Sequence, residues 1–188
     1  MTNIGNRYEI SSLTNDKVKL INSLYHRKYR REHNLFVAEG IRICREAVEN
    51  GWEIRYLLYD NLNADVQKIE NLISDVLCLG ADVIGVTSEI LSKISHKENS
   101  QNVLCVICQK WNDLPGIIKD KTFVALETVR DPGNLGTILR TMDGVGATDC
   151  ILLDHCTDPF SYESVRASMG AIFNVNIIAS STKNFLKW

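Results

Sequence analysis

No apolar run in these 188 residues approaches the ~18 that a membrane-spanning helix needs. The first twelve positions carry no basic start followed by an apolar core, so no secretion signal is expected. A cytoplasmic protein with no membrane partner is expected. G-x-G-x-x-G and G-K-[S/T] are also missing, and with them the glycine-rich turns that cradle dinucleotides and nucleoside triphosphates. His26, His33, His96 and His155 are scattered, with no shared spacing for a metal. Among six cysteines there is one C-x-x-C, Cys105 and Cys108, with no second pair to complete a zinc site. That pair lies in the β-like run Asn102 to Trp111, where residues three apart point to opposite faces, and reads as buried, reduced strand thiols. No metal is expected. Positive charge is short as well: a net charge of −2 gives no global attraction to nucleic acid.

What is present is an ordinary globular composition, 45% hydrophobic and 23% charged, enough for one large domain or two small ones. Short apolar runs alternate with amphipathic stretches, which argues for an α/β class with largely parallel sheets. After an opening basic helix, strands are expected at Leu35–Ala38, Glu53–Tyr59, Asp82–Val86 and Asn102–Gln109. Helices are expected at Ile41–Glu49, Asp65–Ser74 and Glu89–Ile94. Asn112 to Lys121, with Pro115-Gly116 and flanking charges, reads as a linker between domains at 1–111 and 122–188. Beyond it, strands at Phe123–Glu127, Cys150–Leu153 and Phe173–Ile178 alternate with helices from Leu135, Tyr162 and Ser181.

Charge is concentrated locally. In the first 35 residues Arg7, Lys17, Lys19, Arg27, Lys28, Arg30 and Arg31 face only Glu9, Asp16 and Glu32, a local excess of four positive charges. Such a cluster is either a solvated helix face or a phosphate-binding patch.

The stretch Val124 to Gly146 carries the most chemistry. Phe123 to Leu126 is an apolar run of the kind a sheet buries on both faces, and Asp131-Pro132-Gly133-Asn134 turns it into a helix. Leu135, Ile138, Leu139, Met142 and Val145 are spaced to face the core, leaving Gly136, Thr137, Arg140 and Asp143 opposite. Gly136, one turn before Arg140, leaves a gap where a sugar or another backbone can approach. On the residues alone, Arg140 is either a functional cation or a surface arginine paired with Asp143. Asn134 is a ligand contact, a turn residue or an N-cap. Glu127, at the strand's end, reaches a substrate or the next turn.

Asn134, Gly136 and Arg140 match N-x-G-x-x-x-R, the first signature of the SpoU-type RNA ribose methyltransferases of the SPOUT superfamily, which this stretch resembles. Asp158-Pro159-Phe160 and Val165 to Phe173 resemble the second signature around S-x-G-A, and Phe36-Val37-Ala38-Glu39-Gly40-Ile41-Arg42 resembles the opening of the family's substrate-binding domain. A third signature, N-E-G-x-G with a later S-L-N-x-S, has no counterpart before Trp188.

The resemblance implies an amino-terminal α/β RNA-binding domain, like the sandwich of certain ribosomal proteins, and a SPOUT α/β-knot domain lacking its knot-forming carboxyl end. It implies S-adenosylmethionine as cofactor, RNA (rRNA or tRNA) as substrate, and a homodimer. Arg140 and Asn134 are the implied catalytic residues, and Ser168, Gly170 and Ala171 the implied cofactor edge. Arg27, Lys28, Arg30, Arg31, Glu127 and Arg166 are expected on RNA. A guanidinium stays charged and offers no acceptor lone pair, so Arg140 is expected to hold a phosphate or ribose oxygen while another group takes the proton. A noncatalytic RNA-binding remnant is the alternative.

Overall fold

The computed structural model describes residues 4–95, 101–116 and 121–188. His96 and linker positions 117–120 lie outside them. The chain divides into two units, Met1–Cys108 and Gln109–Trp188, a boundary upstream of the 112–121 segment.

The first unit is a five-stranded mixed sheet, in the order β1-β4-β3-β5-β2, between two helical layers. Its strands are β1 (Arg7–Ile10), β2 (Leu35–Glu39), β3 (Ile54–Asp60), β4 (Asp82–Val86) and β5 (Val103–Cys108). β4 pairs in parallel with β1 and β3, while β5 runs antiparallel between β3 and β2. Alternation along the strands sends Tyr56, Leu58, Ile84, Val86, Leu104 and Val106 to one face, where α1 (Asp16–Ser23) and α5 (Ser88–Ser95) supply Val18, Ile21, Ile90 and Ile94. The other face meets α3 (Ile41–Glu49) and α4 (Val66–Cys78), whose apolar stripe Ile69, Leu72, Ile73 and Val76 is buried at helical spacing.

The opening segment is not one basic helix. It begins with strand β1 and then bends at Leu24 to His26 between α1 and α2 (Arg27–His33). α4 also runs one turn past the expected Ser74, because Val76 continues its buried stripe.

The second unit is a three-stranded parallel sheet, β6 (Phe123–Glu127), β7 (Asp149–Leu153) and β8 (Asn176–Ser180). On one face lie α6 (Pro132–Gly144) and α7 (Tyr162–Ser168); on the other, α8 (Thr182–Lys187) brings Phe185 against Ile151, Leu153 and Ile178. The segment expected as a linker is docked on this unit over its described part. Asn112 donates to the Ile177 carbonyl at 2.8 Å, Leu114 joins the Ile151 cluster, and the Pro115 carbonyl accepts from Trp188 Nε1 at 2.7 Å.

Two expectations fail here for simple reasons. Among the described residues β6 has a neighbour on one edge only, and its residues are half-buried or exposed, where burial on both faces was expected. Ala171–Phe173 forms a 3-10 turn that buries all three residues before β8 starts at Asn176; apolar character alone does not separate such a turn from a strand.

Candidate functional site

The strand-to-helix passage around β6 and α6 is fixed by its own residues. Asp131 is the N-cap: its carboxylate accepts the Asn134 N–H at 2.7 Å, and Pro132 at the first helical position lacks an N–H that would have gone unpaired. Asn134 is therefore inside the helix and not its cap. The exit from β6 is held by the Thr157 N–H on the Val129 carbonyl at 2.7 Å and by Cys156 Sγ on the Leu126 carbonyl at 3.2 Å. Thr128 has a φ of 57°, a left-handed conformation that is unusual for a β-branched residue and marks a strained exit.

Both contacts come from the loop after β7, so the segment leading into the second signature holds the exit to the first. Between α6 and α7 the lock is tighter. Ser164 Oγ donates to the Pro132 carbonyl at 3.0 Å, and a Cβ placed on Gly136 would lie 2.5 Å from the Ser164 carbonyl oxygen and 2.6 Å from Ala167 Cβ. The gap expected at Gly136 is filled by α7. Its lack of a side chain serves helix packing, and no sugar can enter there.

Arg140 lies one turn beyond Gly136, exposed, and has no side-chain hydrogen bond or ion pair among the described residues. Asp143, the alternative partner, instead accepts from Asn174 Nδ2 at 3.3 Å. Asn134 is exposed too. It lies six positions before Arg140, which at helical geometry is about 9 Å along the axis and about 120° around it. The pair cannot close on one atom, but they can flank a group the size of a nucleotide.

The segment expected as the cofactor edge is tightly packed. Ser168 is 0% exposed and its hydroxyl donates to the Val165 carbonyl at 2.8 Å. Ala171 is buried in the 3-10 turn, and Gly170, at φ 102°, makes the bend that starts it. These residues form a packed helix junction. Arg166 is exposed, but it is two positions from both Ser164 and Ser168, about 160° round α7 from each, so it faces away from α6. Glu127 is exposed at the end of β6. Val145, expected in the core, is 75% exposed because α6 ends at Gly144 and the chain turns there.

In the first unit the cations of the opening segment separate into classes. Arg7 is paired with Glu70 at 3.3 Å and reaches the Tyr59 hydroxyl, and Lys19 is paired with Asp16 at 3.2 Å. Lys17 meets Asp82 at 3.1 Å and also contacts the Tyr8 hydroxyl. Burial pushes the Asp82 carboxyl up, but hydrogen bonds from Lys17, Asn6 and Tyr8 outweigh it and hold the group below the usual carboxylate range. Arg30 is buried. Arg27, Lys28 and Arg31 are left exposed on α2, with His26 and His33 beside them.

Cys105 is buried on β5 and burial pushes its thiol well up; Cys108, at the strand's end, is pushed up to about 11 by burial and then by Glu53. Among the described residues no group of three or more His, Cys, Asp and Glu is placed to hold a metal, and no helix is long and apolar enough to cross a membrane.

Residues 15–105 match the MRM3-like substrate binding domain, and residues 121–188 match the SpoU rRNA Methylase family. A crystal structure of an rRNA methyltransferase from Sinorhizobium meliloti superposes with a TM-score of 0.90 at 39% identity, over 98% of this chain and 69% of that one. An AdoMet-bound rRNA methyltransferase structure from the same organism gives 0.89 at 38%. The 23S rRNA (uridine(2479)-2'-O)-methyltransferase of Streptomyces viridochromogenes is 30% identical over 155 residues, 81% of this chain. The 23S rRNA (guanosine(2553)-2'-O)-methyltransferase RlmP of Bacillus subtilis is 26% identical over 178 residues, 95% of this chain. The chain spans 53% of the length of the first of these two relatives and 67% of the second.

Proposed function

The chain belongs to the SpoU rRNA methylase family, and on that premise we propose that it is an S-adenosylmethionine-dependent RNA 2′-O-ribose methyltransferase acting on rRNA. One observation carries the reading: the two signature helices interlock at Gly136, which leaves Arg140 fixed at its root and free at its tip. S-adenosylmethionine supplies an electrophilic methyl group for the ribose oxygen. Ser168, Gly170 and Ala171 support the junction behind the site, so no step is assigned to their side chains.

Arg140 holds a phosphate or ribose oxygen of the target nucleotide, a charge-assisted contact that gains from a rigid helix behind it. With no acceptor of its own, it leaves the hydroxyl proton to another group. Asn134, whose amide both donates and accepts, contacts the other side of the same nucleotide. The exposed cations of α2 give sequence-independent affinity for the RNA backbone. A homodimer in the cytoplasm completes the proposal, and sedimentation is expected to show one species at twice the 21.2 kDa chain mass.

Calorimetric titration of the folded chain with S-adenosylmethionine tests the catalytic reading, with saturable binding as the expected result. The burial of Ser168 and Ala171 favours one competing reading, an RNA-binding remnant without transfer activity. A folded chain that binds rRNA and not the methyl donor would establish that reading instead.

A further inference from the structure

α2 carries four cations, and the structure sorts them into two kinds. Arg27, Lys28 and Arg31 are exposed, whereas Arg30 is only 4% exposed. Its Nη1 donates to the Leu24 carbonyl at 2.8 Å and to the Tyr25 carbonyl at 2.9 Å. Leu24 is the C-cap of α1 and is itself buried in the core. The last carbonyls of a helix have no partner within it and attract a cation, so the Arg30 guanidinium ties α2 to the end of α1 across a three-residue elbow. A helix of seven residues does not hold its shape alone and needs such a tether.

We propose that Arg30 is a positioning residue: it fixes the angle of α2 so that Arg27, Lys28 and Arg31 form one preorganised phosphate-binding face, and it makes no RNA contact itself. The inference rests on the reading that α2 meets RNA. A fixed face loses less freedom on binding than a swinging one. If the elbow loosens and only a tenth of the molecules present α2 correctly, affinity falls about tenfold while the bound complex keeps every ionic contact.

Salt dependence separates the two roles. Binding of fluorescein-labelled poly(U) to the full chain is measured by anisotropy across a salt series for wild type, Arg30→Met, Arg30→Lys and the triple variant Arg27→Ala, Lys28→Ala, Arg31→Ala. The triple variant is expected to lower the slope of log affinity against log salt by about 2, from about 0.7 per phosphate contact on a single strand. Both Arg30 variants are expected to bind about tenfold more weakly with the wild-type slope, the lysine included, because its shorter point-charge side chain cannot bridge the elbow. Ile73→Val, a core trim in α4, controls for lost stability and is expected to bind as wild type does. Hydrogen exchange at the α2 amides is expected to rise in the Arg30 variants alone.

A slope reduced by Arg30→Met, or unchanged affinity in both Arg30 variants, would overturn the positioning role while leaving the α2 face in place. A wild-type slope in the triple variant would overturn the RNA face, and the positioning role with it.

Discussion

Gly136→Ala and Gly144→Ala are the same substitution in the same helix, and the structure gives them opposite signs. At Gly136 the new methyl would sit 2.5 Å from the Ser164 carbonyl oxygen, 2.6 Å from Ala167 Cβ and 2.9 Å from the Ser168 nitrogen. Two of those are backbone atoms that cannot rotate aside, so α7 must retreat by on the order of 1 Å; overpacking against fixed backbone falls in the upper part of the usual range, about 2–3 kcal/mol. Alanine's better helix propensity returns about 1 kcal/mol, leaving a net loss of roughly 1–2 kcal/mol. At Gly144 nothing lies within 4 Å of the added methyl, so only the gain survives, about 0.5–1 kcal/mol. Urea unfolding of the full chain, followed by tryptophan fluorescence, reads this unit well, since Trp111 stacks edge-on against Phe160 at 5.0 Å and Trp188 against Phe123 at 5.1 Å. Equal stabilities of Gly136→Ala and wild type would refute the close helix contact, and so would a Gly144→Ala loss as large as that at Gly136.

Burial pushes the Asp149 carboxyl up, but Lys121 at 2.8 Å, Thr148 and Asn176 outweigh it and hold the group below its usual 3.8. Its stabilisation is thus complete above that value and lost as pH falls through the depressed one. Asp149→Asn is expected to cost about 1–2 kcal/mol at pH 7, and the difference from wild type should vanish in unfolding curves taken well below pH 3.8. Iodoacetamide at pH 8 is expected to label Cys78, the exposed thiol, while Cys44, Cys105 and Cys150 stay protected in the native state; burial pushes Cys150 up to about 12. Intact-mass spectrometry checks this, and rapid labelling of Cys150 in a folded sample would contradict it.

Elements were legible where local chemistry and burial agreed. Asp131-Pro132-Gly133 announces the start of α6 because a capping carboxylate and a first-turn proline act within four residues of each other. Strand β1 was not legible: Arg7 to Ile10 is a short, mostly polar edge whose parallel partner Val83 to Val86 lies some 76 positions away. The α1–α2 elbow has no glycine or proline to mark it. The local sequence around Arg30 reads as one more cation in a basic run, and its burial depends on where the carbonyls of α1 end, which only the folded elbow reveals. Gly136 was rightly singled out as a site of close approach, yet whether a helix or a ligand approaches is a tertiary fact. For Ser168 and Ala171, the resemblance marked the segment without distinguishing a surface that binds from a junction that supports.

The most direct measurement is mass spectrometry of nucleosides from unmodified 23S rRNA incubated with the purified chain and methyl-deuterated S-adenosylmethionine. A labelled 2′-O-methyl nucleoside is expected from wild type, reduced at least a hundredfold by Arg140→Ala in a chain that keeps wild-type stability. No label from folded wild type, or undiminished label from Arg140→Ala, would contradict the assignment of methyl transfer to this chain and of its central contact to Arg140.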